Sequence, residues 1–259
     1  MQGIHETLNA IRDAAWWHAA QKRILADPPR PMIAATPPRG PRVLNEAMGK
    51  ERLADAGFPV PAGRLVAGDR LCEAAGEIGF PLALKMMGPE LAHKTDAGAV
   101  ALGIETPDAL IQEVEAMRRS VAQFSKTAVT ETFLVEPMAP KPLVELVVGV
   151  RRDAQFGLAM TLGSGGVLVE LVGDACTVLL PATGDDFRRA LAGLRVARML
   201  DGFRGGPKAD TGAVVSALTG LAEYAIAQAK TVVEIEINPL FVYEQGVLAV
   251  DVLMQVDPD

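Results

Sequence analysis

The chain has 259 residues, 49% of them hydrophobic and 22% charged, with 32 acidic against 25 basic side chains and a net charge of -7. That length fits one large domain or two to three small lobes, and the acidic balance argues against a partner surface for nucleic acid phosphates. Two cysteines, Cys72 and Cys176, with no Cys-x-x-Cys and no Cys/His cluster, give neither a disulfide framework nor a structural zinc site; with no signal-peptide pattern and no apolar run near the roughly 20 residues of a membrane span, the expectation is a reduced, cytoplasmic protein outside the membrane.

Ile4, Leu8, Ile11, Ala15 and Ala19 recur at helical spacing around Trp16-Trp17 and predict an amphipathic helix over residues 3–26 that docks on something. Six of the fifteen residues from Pro28 to Arg42 are proline, a semi-rigid connector that excludes helix and central strand. Beyond it the pattern predicts a helix from Leu44 to Ala56 closed by Gly57, a strand over Arg64–Ala67, and a helix over Asp69–Ile78 closed by Gly79. Strands follow at Pro81–Met87 and Ala99–Ile104, then a helix opened by Thr106-Pro107 whose apolar stripe is Leu110, Val114, Met117 and Val121. Closely spaced strands at Thr130–Val135, Leu143–Val150, Gly157–Leu162, Val167–Val172 and Cys176–Leu180 predict a mainly antiparallel sheet. Helices over about 184–200 and 210–229, the second behind the candidate N-cap Asp210, lead to a terminal hairpin.

That hairpin carries the most telling chemistry. In Glu234-Ile-Glu236-Ile-Asn238-Pro239-Leu240, alternation puts Glu234, Glu236 and Asn238 on one face. A turn centred on Glu244-Gln245 sets Asn238 opposite Asp251. Oxygen-only donors of this kind suit Mg²⁺, which keeps waters and bridges to phosphate oxygens; a half-exposed hairpin whose polar face meets water gives the same pattern. Lys85 stands inside the apolar strand Pro81-Leu-Ala-Leu-Lys85-Met-Met, where an unpaired ammonium is costly. A polyphosphate would account for it, and so would an edge strand from which the lysine reaches solvent.

Residues 88–95, Gly-Pro-Glu-Leu-Ala-His-Lys-Thr, miss the phosphate-binding pattern G-x-x-x-x-G-K-[ST] because His93 replaces its second glycine, so that reading is rejected. What remains is a loop, His93-Lys94-Thr95-Asp96-Ala97-Gly98-Ala99-Val100, whose amides and Lys94 suit phosphates and whose His93 suits phosphoryl transfer; an ordinary solvated connection with an incidental histidine is the alternative. Gly163-Ser164-Gly165-Gly166 lies between strands and is not a dinucleotide fingerprint, leaving only a close backbone approach to a ligand or a neighbouring loop. Glu136-Pro137-Met138 and Glu145 add acids near a chain crossing.

As an ordered set these motifs resemble the ATP-grasp domain of the NDP-forming acyl-CoA synthetases, of the ADP-forming acetate-CoA ligase type, and more distantly the succinyl-CoA synthetase beta subunit. The set comprises Lys85; His93-Lys94-x-Asp96-x-Gly98; Glu136-x-Met138; Glu145-Leu-Val-Val-Gly149 with Asp153 and Phe156-Gly157; Gly163-x-Gly165-Gly166 with Glu170; Gly202-Phe-Arg204-Gly205-x-Pro207-x-x-Asp210; and Ile237-Asn238-Pro239-Leu240 with Asp251. The resemblance implies an α/β (α+β) ATP-grasp fold of two lobes with a nucleotide cleft, behind an N-terminal helix and linker (1–42), the lobes being 43–136 and 137–259. It implies ATP/ADP with Lys85 on the phosphates, the backbone from Glu136 to Met138 on adenine, and Glu145 near ribose or phosphates. Mg²⁺ would fall to Asn238 and Asp251 with Glu236 assisting, and His93 would be a mobile phosphoryl carrier.

The same resemblance implies a hetero-oligomer with a CoA-binding alpha subunit or domain, through which coenzyme A and an organic acid react; no nucleic acid or membrane is expected. The chain departs from the family at Ala99, where a second glycine is usual and a Cβ would crowd the phosphates or alter loop motion. Leu158 replaces a common proline, and Glu236 a common aspartate. An ATP-grasp carboxylate-amine ligase and a non-catalytic nucleotide-sensing module are the competing readings.

Overall fold

The structure, a computed structural model, describes residues 3–26, 28, 30, 32–33, 37–91, 94–165 and 173–258. The chain forms two compact units, Met1–Met32 and Ile33–Asp259. The first contains helix α1 (Ile4–Ala26), which leaves Ile4, Leu8, Ile11, Trp16 and Trp17 exposed. No helix among the described residues is long and apolar enough to cross a membrane.

The second unit is built on two antiparallel sheets. The larger runs in the order β1 (Arg42–Leu44), β11 (Val252–Val256), β9 (Val232–Val242), β6 (Val144–Asp153), β7 (Gly157–Ser164), β8 (Ala175–Leu179), with β10 (Val247–Ala249) also paired to β9. The smaller runs β2 (Arg64–Ala67), β5 (Thr132–Pro137), β3 (Leu82–Met86), β4 (Val100–Ile104). The larger sheet is covered by α5 (Gly184–Gly193) and α7 (Thr211–Ala227), and Val214, Leu218 and Leu221 of α7 share one core with Val148, Val150, Ile235 and Ile237. The alternation read in β9 is real, since Ile235, Ile237 and Leu240 are wholly buried while Glu234, Glu236 and Asn238 are not.

Helices α3 (Leu71–Ile78) and α4 (Pro107–Phe124) cover the smaller sheet, and the stripe Leu110, Val114, Met117, Val121 of α4 packs there with Leu84, Phe133 and Val135. Thr106 accepts from the Ala109 amide at 3.1 Å and Pro107 fills the first turn, which fixes the start of α4 where the sequence puts it. Each such buried aliphatic side chain contributes about 1.5–3 kcal/mol.

The boundaries differ from the sequence expectation where a cap competes. Helix α2 runs Glu46–Asp55 and starts two residues later than predicted, because the Asn45 side chain accepts from the Met48 amide at 2.8 Å. Leu44 is drawn instead into β1, opposite Met254 of β11. The 184–200 helix divides into α5 and a short α6 (Ala197–Leu200), with the Asp174 carboxylate accepting from the Arg195 and Val196 amides between them. The strand expected over Val167–Val172 lies outside the described residues.

Candidate functional site

The Asn45 cap sets Glu46 and Lys50 one turn apart on α2, a spacing that puts both on one helix face. Opposite them β3 carries Lys85 and β5 carries Glu136, and all four side chains are buried. Lys85 Nζ pairs closely with Glu46 Oε1, donates to the Val250 carbonyl at 3.0 Å, and lies 3.3 Å from Glu136 Oε2. Since Val250 belongs to the larger sheet's ribbon, Lys85 spans the space between the two sheets; it is not an edge lysine reaching for water. Lys50 Nζ is 2.7 Å from Glu46 Oε1 and 2.5 Å from Glu136 Oε1. Lys94, from the loop between β3 and β4, completes the group at 3.1 Å from Glu46 Oε2 and 3.4 Å from Asp251 Oδ1.

Three ammonium groups thus meet three carboxylates, Glu46, Glu136 and Asp251. Burial would raise the Glu46 pKa, but Lys85, Lys50 and Lys94 outweigh it and hold that carboxyl at about 2, against an ordinary 4.5. Burial lowers the Lys85 pKa, yet Glu46, Glu136 and Asp251 reverse this and keep its ammonium firmly charged. Lys50 is pushed down, by burial and then by the charge of Lys85 beside it. Asp251 is pushed up, again by burial and then by Glu46, against the pull of the lysines. Buried ions of this kind are held by mutual pairing, and removing one partner strands the rest.

The terminal ribbon has the register that a turn centred on Glu244-Gln245 requires, with Ala249 opposite Leu240 and Val252 opposite Ile237. Asn238 therefore faces Asp251, and the Asn238 amide donates to the Asp251 carbonyl at 3.1 Å. The Asn238 Nδ2 donates to Glu236 Oε1 at 3.3 Å, so the side-chain nitrogen, not the oxygen, faces that glutamate. Glu236, Asn238 and Asp251 line one cavity of about 280 Å³ with Lys94, Thr95 and Asp96. Ligand clefts span roughly 300–1,000 Å³, so this cavity lies at the small end of that range.

Among the described residues no three His, Cys, Asp or Glu side chains gather into a metal-holding group. Two carboxylates and an amide oxygen fit a hard cation that takes its remaining ligands from water and phosphate. Two further cavities reach the same charge cluster. One of about 590 Å³ is lined by Glu46 and Lys94 beside Met48, Met87 and Leu91, and one of about 540 Å³ by Lys50 and Glu136 beside Val60 and Leu134.

The remaining sequence candidates divide. The Met138 amide donates to the Pro81 carbonyl at 2.9 Å, while Glu136 turns its carboxylate into the lysine cluster. Glu145 is half-buried on β6, and its carbonyl accepts from the Gly165 amide at 2.7 Å. A Cβ on Gly165 would stand 2.8 Å from the Glu145 carbonyl carbon, so the close approach expected of this glycine is to the neighbouring strand. Gly165→Ala should cost about 1–3 kcal/mol of stability, read as a lowered thermal midpoint; an unchanged midpoint would show the strands can part at no cost.

Gly98 has φ +67° and would press a Cβ to 2.7 Å from Ser120 Cβ of α4, which gives it a backbone duty in the turn after Lys94. Ala99 is fully buried in the smaller sheet's apolar cluster, its amide bonded to the Lys94 carbonyl at 2.8 Å. Several motif residues do structural work. Asp153 accepts from the Gln155 and Phe156 amides in the β6–β7 turn, and Asp210 accepts from Ala213 at the start of α7 and from Gly246 in the hairpin turn. His93, Gly166 and Glu170 lie outside the described residues. Sequence reasoning passed over Glu46 and Lys50; the signal that could have found them was the demand of a buried Lys85 for a counter-ion.

The sequence model of the ATP-grasp domain family matches residues 36–256. The beta subunit of the ADP-forming acetate-CoA ligase II of Pyrococcus furiosus is 34% identical over 209 residues, 80% of this chain and 88% of that subunit. The ADP-forming acetate-CoA ligase II of Archaeoglobus fulgidus is 35% identical over 183 residues, 71% of this chain and 26% of that protein. Among solved structures, the dinucleotide-forming acetyl-coenzyme A synthetase 1 of Ca. Korarchaeum cryptofilum, in complex with coenzyme A and Ca-AMPCP, superposes with a TM-score of 0.79 at 29% identity, covering 83% of this chain and 93% of that one. With two sheets facing across a lysine-carboxylate cluster and a matching sequence from residue 36 to 256, this chain belongs to the ATP-grasp domain family, in the group that includes the beta subunits of the ADP-forming acetate-CoA ligases.

Proposed function

We propose that the chain is the Mg-ATP-binding subunit of an ADP-forming acyl-CoA synthetase and that it passes a phosphoryl group between nucleotide and a histidine of a CoA-binding partner. One observation supports this above the others: Lys94, Glu236, Asn238 and Asp251 converge on one cavity while Lys85 lies in the adjoining charge cluster. Phosphoryl transfer asks mostly for positioning and charge neutralisation. Lys85 and Lys94 would hold phosphate oxygens, and Glu236, Asn238 and Asp251 would hold Mg²⁺, which when bound neutralises charge on the transferred group. The backbone from Glu136 to Met138 is assigned to adenine, and Glu145 to the ribose or the phosphates.

His93 is assigned the carrier role, since two sites too far apart for direct transfer need a nucleophile that moves between them. The test is transfer of labelled phosphate from ATP to a reconstituted CoA-binding subunit. His93→Ala should bind Mg-ATP as the parent does and transfer at least about a hundredfold more slowly, the scale of a lost proton- or group-transfer residue. A parental rate in that variant would remove the carrier role. Turnover by the isolated chain with an amine acceptor would favour a carboxylate-amine ligase instead. The acyl partner and the identity of the CoA-binding chain follow from purification of the native complex.

A further inference from the structure

Of the three buried lysines, Lys94 alone lines the cavity shared by Glu236, Asn238 and Asp251. Its anchoring also differs. Lys85 has a backbone carbonyl at 3.0 Å as well as carboxylates, whereas the contacts of Lys94 Nζ are two carboxylate oxygens, Glu46 Oε2 at 3.1 Å and Asp251 Oδ1 at 3.4 Å. Lys94 therefore forms an ion pair, at 3.4 Å, with one oxygen of the group that a divalent cation would use, and from inside the same cavity. A cation held by Asp251 would stand close to an ammonium of like charge, against Coulomb repulsion.

Resting on the Mg-nucleotide reading of this site, we propose that Lys94 is an internal counter-ion that withholds Asp251 from divalent metal until a polyphosphate draws the lysine away, so that metal binding is conditional on nucleotide. The lysine exchanges one anionic partner for another, and the carboxylate it leaves becomes a metal ligand. No covalent bond is made or broken; the lysine changes its anionic partner, and the freed carboxylate would replace a water on the metal. Glu46 is the fixed post of this exchange, because Lys85 and Lys50 keep it in place when Lys94 leaves. Such an arrangement favours arrival of metal and nucleotide as one complex and disfavours a protein loaded with metal alone.

Mn²⁺, followed by electron paramagnetic resonance on the full chain, tests this without turnover. In the absence of nucleotide, Lys94→Met should bind Mn²⁺ at least tenfold more tightly than the parent, while Lys94→Arg, which keeps the charge, should match the parent. Lys126→Met, which removes an exposed positive charge elsewhere, should also match it. Lys94→Gln serves in place of the methionine variant if circular dichroism shows that the latter fails to fold. Equal Mn²⁺ affinity in the parent and the neutral Lys94 variant would overturn the proposal, provided the parent binds Mn²⁺ tightly with a non-hydrolysable ATP analogue. If the parent with the analogue binds Mn²⁺ no better than the analogue alone does, the Mg-nucleotide reading itself fails, and the counter-ion proposal with it.

Discussion

Asp251→Ala should lower affinity for Mg-nucleotide by at least about a hundredfold, since losing even a group that merely orients a metal ligand costs 10–100-fold. The fold should persist. Asp251 is a third exposed, lies at the rim of the ion cluster, and its backbone pairing with Asn238 does not need the side chain. Asn238→Ala should weaken binding in the same direction, because the two residues face each other on neighbouring strands and serve one cation. Titration calorimetry with a non-hydrolysable analogue, run with and without Mg²⁺, separates metal loss from nucleotide loss: the variants should resemble the parent when Mg²⁺ is left out. Unchanged Mg-nucleotide affinity in both variants would remove these residues from the metal site.

The second large effect belongs to Glu46. Its carboxylate touches Lys50, Lys85 and Lys94, and its side chain is 1% exposed. Glu46→Ala leaves three buried ammonium groups facing two remaining acids, and breaking a buried pair from one side typically costs about 3–5 kcal/mol. For a unit of this size that corresponds to a midpoint lower by roughly 10 °C. The pH dependence has a definite sign. The Glu46 pKa is depressed from an ordinary 4.5 to about 2, so its stabilisation is complete above about 4.5 and is lost as pH falls toward about 2. Urea unfolding of the parent and of Glu46→Gln should show a gap that is widest near neutrality and narrows through that window. A gap of constant size would mean that shape, not charge, is what Glu46 supplies.

Where one strand or one turn decides the outcome, the sequence was a sufficient guide. The Glu244-Gln245 turn and strict alternation through Glu236 and Asn238 fix the ribbon's register, because slipping by one residue would bury every polar group and expose every isoleucine. The α4 stripe and its Thr106-Pro107 start were legible for the same local reason. The ion cluster was not. A Glu46-Lys50 pair spaced one turn apart reads as an ordinary surface pair, and only the approach of β3 and β5 makes it a buried one. The partner of Gly165 was equally hidden, since the glycine's spacing says that something comes close but not that it is Glu145 on the adjacent strand. Asp153 and Asp210 carry the opposite lesson: both belong to the family pattern, and both spend their oxygens on turn and helix-start amides.

Strand β1 enters the larger sheet beside β11 and runs directly through Asn45 into α2. The acid that grips the smaller sheet's Lys85 is thereby tied, by a single residue of main chain, to the opposite layer. Main chain joins the two layers twice, through α2 between β1 and β2 and again between β5 and β6, and this electrostatic clasp joins them a third time, so prying them apart must rupture ionic contacts as well as bend both connections.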